Sequence, residues 1–228
     1  RIRIFEVELK AVLGQGWDRE TFFVSQMRSD GVFLLNIGLL VAAYLMGSIS
    51  WGKIFGKLRG VDLLQVGSGN TGGTNALRAM GPVIGLLVCL LDCGKGIGAV
   101  LLARYFASAE WVPLAAGFIA VVGHNYSIFL GFKGGKGIAT TAGVYLVLTP
   151  LALACAVPVS LLAISLTKYV SLGSLVFVAQ MPVLISLINP EAGLLVLAGL
   201  LAAMAFIRHS SNIKRLWSGN ERRLGERA

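Results

Sequence analysis

Four polar islands, set between long apolar runs, hold the side chains able to do chemistry. They are Gly67 to Asn75 with Arg78 just beyond, Gly131 to Thr140, Lys168 to Ser171, and Arg208 to Asn212. Arginine grips phosphate through two parallel donors, and lysine acts on it as a point charge. Arg78, Lys136, His209 and Asn212 together therefore suggest a ligand with more than one phosphate-type group, and these four are the candidate catalytic residues. The first island reads Gly-Ser-Gly-Asn-Thr-Gly-Gly-Thr-Asn. Its glycines let backbone amides approach an anion closely, and Ser68, Gly69, Asn70, Thr74 and Asn75 are candidate binding residues. In the second island Gly134, Gly135 and Gly137 would wrap an oxyanion at the start of a helix beginning near Ile138. Ser171 is the candidate from the third.

Rival motifs fail on spacing. Gly67-x-Gly69-x-x-Gly72 fits a dinucleotide fingerprint, but that motif needs a strand before it and a soluble βαβ unit around it. Gly134-Gly135-Lys136-Gly137 is no Walker loop, since Gly137 follows the lysine where Ser or Thr is required and Leu130 stands where the first glycine belongs. The position five residues after His124 is Phe129, so the His-x-x-x-x-Asp pair of many acyltransferases is absent. No spacing compels a covalent nucleophile, a metal or an organic cofactor, and Cys89, Cys93 and Cys155 read as small packing residues. Asp92 and Lys95, three apart in an apolar segment, either pair with each other structurally or support the site. His124 reads first as a packing histidine and second as a base.

The elements that must carry these islands are membrane helices. Apolar residues make up 56% of the 228 and charged ones 14%, and a bilayer span takes about 20 mainly apolar residues. Candidate spans cover 32 to 56, 82 to 106, 112 to 130, 138 to 149, 151 to 167, 171 to 188 and 191 to 207. The fourth is short, and Pro150 predicts a break between it and the fifth. The expected fold is an all-α integral membrane protein with seven transmembrane helices, its N-terminus outside and its C-terminus cytoplasmic. With that count thirteen Lys and Arg fall on the side of the Gly67 loop and, beyond the charge-neutral N-terminal tail, only Arg104 opposite, a strong positive-inside asymmetry. Residues 1 to 30 read as a polar, charge-neutral extension peripheral to function, with Met27 a plausible natural beginning. Residues 31 to 208 are the seven-helix catalytic domain, and 209 to 228 a basic cytoplasmic tail whose start contributes site residues. The net charge of +9 lacks the basic, aromatic-interleaved block of a nucleic-acid binder.

Several motifs in this order resemble the bacterial acyl-phosphate:glycerol-3-phosphate acyltransferases (PlsY-type) across residues 40 to 221. They are Gly47-Ser48 with Gly52, Gly67 to Asn75 with Arg78, Asp92 with Lys95-Gly96, and Gly123-His124-Asn125. Phe132 to Thr140, Lys168 to Ser171, Arg208-His209, Asn212-Ile213, Arg215-Leu216, Gly219 and Glu221 complete the likeness. Gly73 departs from the family's usual alanine, Ala99 and Ser127 from common prolines, and Ser210 from a frequent basic residue. The resemblance implies a multi-pass enzyme of the bacterial inner membrane with its active site facing the cytoplasm. Its reaction would move a fatty acyl group from acyl phosphate to the 1-hydroxyl of glycerol 3-phosphate, giving lysophosphatidic acid and phosphate in phospholipid synthesis. An upstream enzyme would make the acyl phosphate. By that likeness Ser68, Asn70, Thr74 and Lys136 hold the donor, Arg78, His209 and Asn212 hold glycerol 3-phosphate, and Ser171 supports the pocket. With no acid/base pair in the sequence, a phosphate oxygen of the donor takes the hydroxyl proton, and His209 is the competing base. The alternative reading is a transporter of a phosphorylated metabolite, which would bind its substrate near the bilayer midplane. A structural scaffold is the third.

Overall fold

The computed structural model describes residues 19–226, with side chains from residue 30 onward. These residues form ten α-helices: α1 (Arg19–Ser48), α2 (Trp51–Leu58), α3 (Gly73–Met80), α4 (Pro82–Phe106), α5 (Trp111–Asn125), α6 (Ile138–Leu148), α7 (Pro150–Thr167), α8 (Val170–Ile188), α9 (Ala192–Arg208) and α10 (Ser210–Trp217). A 3-10 turn, Ile128–Leu130, follows α5. Five segments are long and apolar enough to cross a membrane, or six when α9 and α10, bent by 61° to each other, are taken as one. α6 falls outside that set: its 11 residues rise about 16 Å, roughly half the hydrocarbon core.

The expected first span, 32 to 56, is not one helix. It breaks at Ile49 and Ser50, where Ser50 Oγ accepts the Lys53 amide and starts α2. In the other direction α1 runs without interruption through the expected boundary at residue 30, while the rest of the N-terminal extension, before residue 19, lies outside the described residues. The break after the fourth expected span is present: Thr149 leaves the helical region and Pro150 opens α7, a position where its missing N–H costs nothing.

Three apolar clusters hold the bundle. The largest joins α4 through α9 around Val144, Tyr145, Phe177, Met181 and Ala198. A second, of Leu39, Ala43, Ala99, Ala116 and Ala120, lets α1, α4 and α5 approach closely, as small residues do in membrane helix pairs. Leu63, Ala76 and Val88 seat the loop before α3 upon α4. The contact that places the site is between α4 and α6. A β-carbon on Gly96 would strike the Thr140 carbonyl, and one on Gly143 the Cys93 carbonyl. The two backbones touch, which sets the start of α6 beside Asp92.

Candidate active site

A cavity of about 300 Å³ gathers residues from all four polar islands. Its polar end is lined by the first turns of α3 (Gly73, Thr74, Asn75), α6 (Ile138, Ala139), α8 (Val170, Ser171) and α10 (Asn212), with Ser68, Asn70, Arg78, Lys136, Gly137, His209 and Glu221. A helix start presents unpaired amides and the positive end of the helix dipole, so four of them around two cations form an anion site. The cavity continues between α7 and α8 past Ile164, Leu161, Val157 and Phe177. Leu161 and Val157 are themselves exposed on the outside of the bundle, so this arm opens sideways where lipid would lie.

Lys136 and Arg215 are joined through a chain of polar contacts. Lys136 Nζ donates to Asn212 Oδ1 at 2.5 Å, and Asn212 Nδ2 donates to Glu221 Oε1 at 2.7 Å. The same carboxylate oxygen accepts the Ser171 hydroxyl at 2.9 Å, and Oε2 accepts Arg215 Nε at 2.8 Å. Burial alone would raise the Glu221 pKa, but the donors Asn212, Ser171 and Arg215 outweigh it and hold the carboxyl below its usual range. Burial, then the nearby Arg215, Arg78 and Arg208, lowers Lys136 to about 8, with Glu221 opposing. Lys136 thus has charge to give to an anion and few neighbours that satisfy it.

His209, 2% exposed, lies with Nδ1 2.8 Å from the Ala205 carbonyl. A carbonyl only accepts, so the proton is on Nδ1 and Nε2 keeps its lone pair. Burial, then the Lys136 charge, pushes His209 down to about 4. At neutral pH it is an uncharged acceptor, suited to a hydroxyl rather than to phosphate charge. Arg78 donates from Nη2 to the Arg222 carbonyl at 3.2 Å. The Leu224 amide donates to the Lys168 carbonyl at 2.7 Å, so the segment bearing Glu221 is drawn over the cavity.

Ten of the thirteen expected site residues line this cavity, and three do not. Gly69 lies in the exposed turn of the first loop with φ +64°, its amide donating to the Val66 carbonyl at 3.1 Å. Gly134 and Gly135 are buried behind Lys136, their carbonyls accepting from Arg208 at 3.2 and 2.9 Å. Asn75 borders the cavity but spends its side chain inward. Oδ1 accepts the Ser68 amide at 2.9 Å, and Nδ2 donates to the carbonyls of Leu63, Val66 and Asn70 at 3.0, 3.1 and 2.9 Å. It is the staple of the loop. Gly137 is in the left-handed region at φ +80°, which lets the chain turn from Lys136 into α6.

Glu221 is the site residue that chemistry read from the sequence left out. Its signal was one acid among Arg215, Arg222 and Arg223, which marks a carboxylate wanted for its charge. Asp92 and His124, left between structural and functional roles, also reach the cavity wall. Where the family resembled has alanine, Gly73 faces Cys89, whose Sγ takes the room a β-carbon would need. Ser127, in place of a common proline, donates its hydroxyl to the Ser48 carbonyl at 2.6 Å.

Comparison with known proteins bears on this geometry. The family described as glycerol-3-phosphate acyltransferase matches residues 37–219. The glycerol-3-phosphate acyltransferase of Trichlorobacter lovleyi is 44% identical over 182 residues, which are 80% of this chain and 94% of the relative. That of Thermus thermophilus is 44% identical over 189 residues, 83% of this chain and 95% of the relative. The crystal structure of PlsY, an integral membrane glycerol 3-phosphate acyltransferase, in its glycerol 3-phosphate form is 39% identical with a TM-score of 0.80, covering 83% of this chain and 96% of that one. Its lysophosphatidic acid form gives 38% and 0.78, with 83% and 95% covered. On sequence, on length and on the course of its helices, this chain belongs to the glycerol-3-phosphate acyltransferase family.

Proposed function

We propose that this protein transfers a fatty acyl group from acyl phosphate to the 1-hydroxyl of glycerol 3-phosphate, giving lysophosphatidic acid and inorganic phosphate. The observation that carries the reading is the two-part cavity, cationic and amide-rich at one end and apolar and open sideways at the other. Such a cavity suits two phosphorylated molecules, one with a lipid tail. The forms in which PlsY was crystallised, with glycerol 3-phosphate and with lysophosphatidic acid, are the acceptor and the product of this reaction.

The acceptor hydroxyl attacks the acyl carbonyl carbon, the bond from that carbon to the phosphate oxygen breaks, and phosphate leaves. Lys136, Ser68, Asn70, Thr74 and the amides opening α3 and α6 hold the donor phosphate and stabilise the charge it gains on leaving. Arg78 and Asn212 hold glycerol 3-phosphate, and the Nε2 lone pair of His209 orients its hydroxyl. Ser171 supports the pocket through Glu221. The proton goes to a phosphate oxygen of the donor, since the acyl phosphate is an activated mixed anhydride and positioning supplies most of what remains.

In the membrane we count α1 and α4 through α9 as seven spans, including the short α6. The N-terminus is then outside, and the cavity faces the cytoplasm of a bacterial inner membrane, as the thirteen-to-one distribution of Lys and Arg beyond the N-terminal tail favours. Residues 31 to 208 carry the catalytic domain, and 209 to 228 supply His209, Asn212 and Glu221. An upstream enzyme makes the acyl phosphate. The test is phosphate release by the purified protein from acyl phosphate. Release that depends on glycerol 3-phosphate is expected, and release indifferent to it refutes the reading.

A further inference from the structure

The side chain of His124 is in contact with the cavity wall yet takes no part in the chemistry above. It is 7% exposed. Its Nδ1 is 3.6 Å from Asp92 Oδ1, beyond hydrogen-bond range but close enough for charge to matter. Lys95 Nζ is 3.0 Å from the same oxygen and donates to the Ile49 carbonyl, at the break after α1, at 2.8 Å. Ionisable groups inside a membrane protein are costly unless they hold one another, so this buried trio is built for something.

The other edge of the ring shows what it serves. A β-carbon on Gly135 would fall onto His124 Nε2, with Cδ2 and Cε1 next nearest at 2.7 Å. The Gly135 amide donates to the His124 carbonyl at 3.0 Å, and a β-carbon on Gly134 would strike that same carbonyl. From the opposite side Arg208 Nε and Nη2 reach the Gly135 carbonyl at 3.1 and 2.9 Å, while its guanidinium lies 5.1 Å over the Tyr126 ring. The turn is clamped between His124 and Arg208. Lys136 is the next residue.

We infer that His124 is a positioning residue: its imidazole, set beside the Asp92–Lys95 pair, fills the space of the absent Gly135 side chain and so aims Lys136 into the cavity. On this account Gly135 is glycine to admit a histidine ring, since a β-carbon there would fall onto Nε2. A displacement of about 1 Å at a catalytic group can cost about 10²-fold in rate, which is the scale on which such a template works. The inference rests on the proposed action of Lys136 on the donor phosphate.

The experiment is a size-complementation cycle read as kcat/KM for acyl transfer. His124→Asn stops short of the Nε2 position, and Gly135→Ala adds the β-carbon that needs it. Each single variant should lose at least tenfold. Independent defects would multiply, whereas the pair is expected to match or exceed Gly135→Ala alone. A second readout follows Lys136 itself, whose pKa near 8 sets an alkaline limb. In Gly135→Ala the limb should move upward as the turn loosens toward water, and in the pair it should return. The charged or titratable groups around Lys136, namely Arg78, Arg208, His209, Arg215 and Glu221, are unchanged throughout.

A pair that loses the product of the two single effects, or single variants with wild-type kinetics, overturns the inference. If Gly135→Ala does not fold, folding is the readout: a monodisperse, heat-resistant protein recovered by adding His124→Asn supports the template, and failure to recover it overturns it. The underlying reading fails separately. Near-normal turnover by Lys136→Ala would remove the role of Lys136, whereas multiplicative losses with Lys136→Ala inactive would remove only that of His124.

Discussion

Lys136 should impose an alkaline limb on the pH profile of the enzyme, and the structure sets where. Burial beside Arg215, Arg78 and Arg208 brings its pKa from 10.5 to about 8, which corresponds to about 3 kcal/mol of cost for holding the charge in the empty site. Only the ammonium form can neutralise the departing phosphate. Above about pH 8 the free enzyme therefore loses kcat/KM by about tenfold per pH unit. A bound phosphate favours the charged form, so the limb in kcat, which reports the complex, should lie at higher pH than the limb in kcat/KM. Lys136→Arg replaces the group with one that stays charged, and it should abolish the limb while lowering the rate through a poorer fit to Asn212. Lys136→Ala removes the donor and should cost about 10² to 10³ in kcat, or about 2.7–4 kcal/mol. The assay is phosphate release in detergent across pH 6 to 10, with each profile taken on protein of verified folding. A limb near pH 8 that survives in Lys136→Arg, or a wild-type profile flat through pH 9, would refute the reasoning.

His209→Gln keeps a polar group near the Nε2 position but gives up the Nδ1 donor to the Ala205 carbonyl, and should reduce turnover by less than about 10⁴-fold, while a larger loss at unchanged glycerol 3-phosphate KM would make His209 the base. Glu221→Ala leaves Asn212, Ser171 and Arg215 without their shared acceptor. It should cost about 1–3 kcal/mol, seen as a thermal midpoint lower by several degrees. Because the Glu221 carboxyl is held below its usual range, the stability it contributes is present above the ordinary carboxylate pKa and lost as pH falls through its own. Acid titration of the wild type should show a destabilising step that Glu221→Gln lacks. Asn75→Asp deprives the Leu63, Val66 and Asn70 carbonyls of their donor. A raised donor KM and a lower thermal midpoint together are expected, and wild-type values of both would show that the loop does not need its staple.

What the sequence by itself determined was the material and much of its placement. Apolar runs of membrane length require helices because backbone polar groups have no other partner in lipid, and a single proline was enough to locate the break between α6 and α7. Glycines, hydroxyls and cations in four islands implied a phosphate site, since those groups have few other common uses together. Averaging over a membrane-length window hid the break at Ile49 and Ser50, where one Ser50 cap redirects the chain. The short helices α2, α3 and α10 lie in stretches that the same averaging treats as loop or as an extension of a span.

The direction in which each polar side chain points was decided only by tertiary structure. Asn75 and Asn70 are neighbours of the same type in one glycine-rich loop, yet Asn75 is drawn inward by carbonyls at Leu63 and Val66 that must be satisfied when the loop closes on α4. Gly134 and Gly135 have the composition of a phosphate wrap, but the ring of His124 and the fork of Arg208, brought from two other helices, use them as packing surface. Glu221 joins Ser171, fifty positions earlier, because the bundle returns the end of the chain to the start of α8. Those partners are distant in sequence, and only closing the chain upon itself brings them within reach.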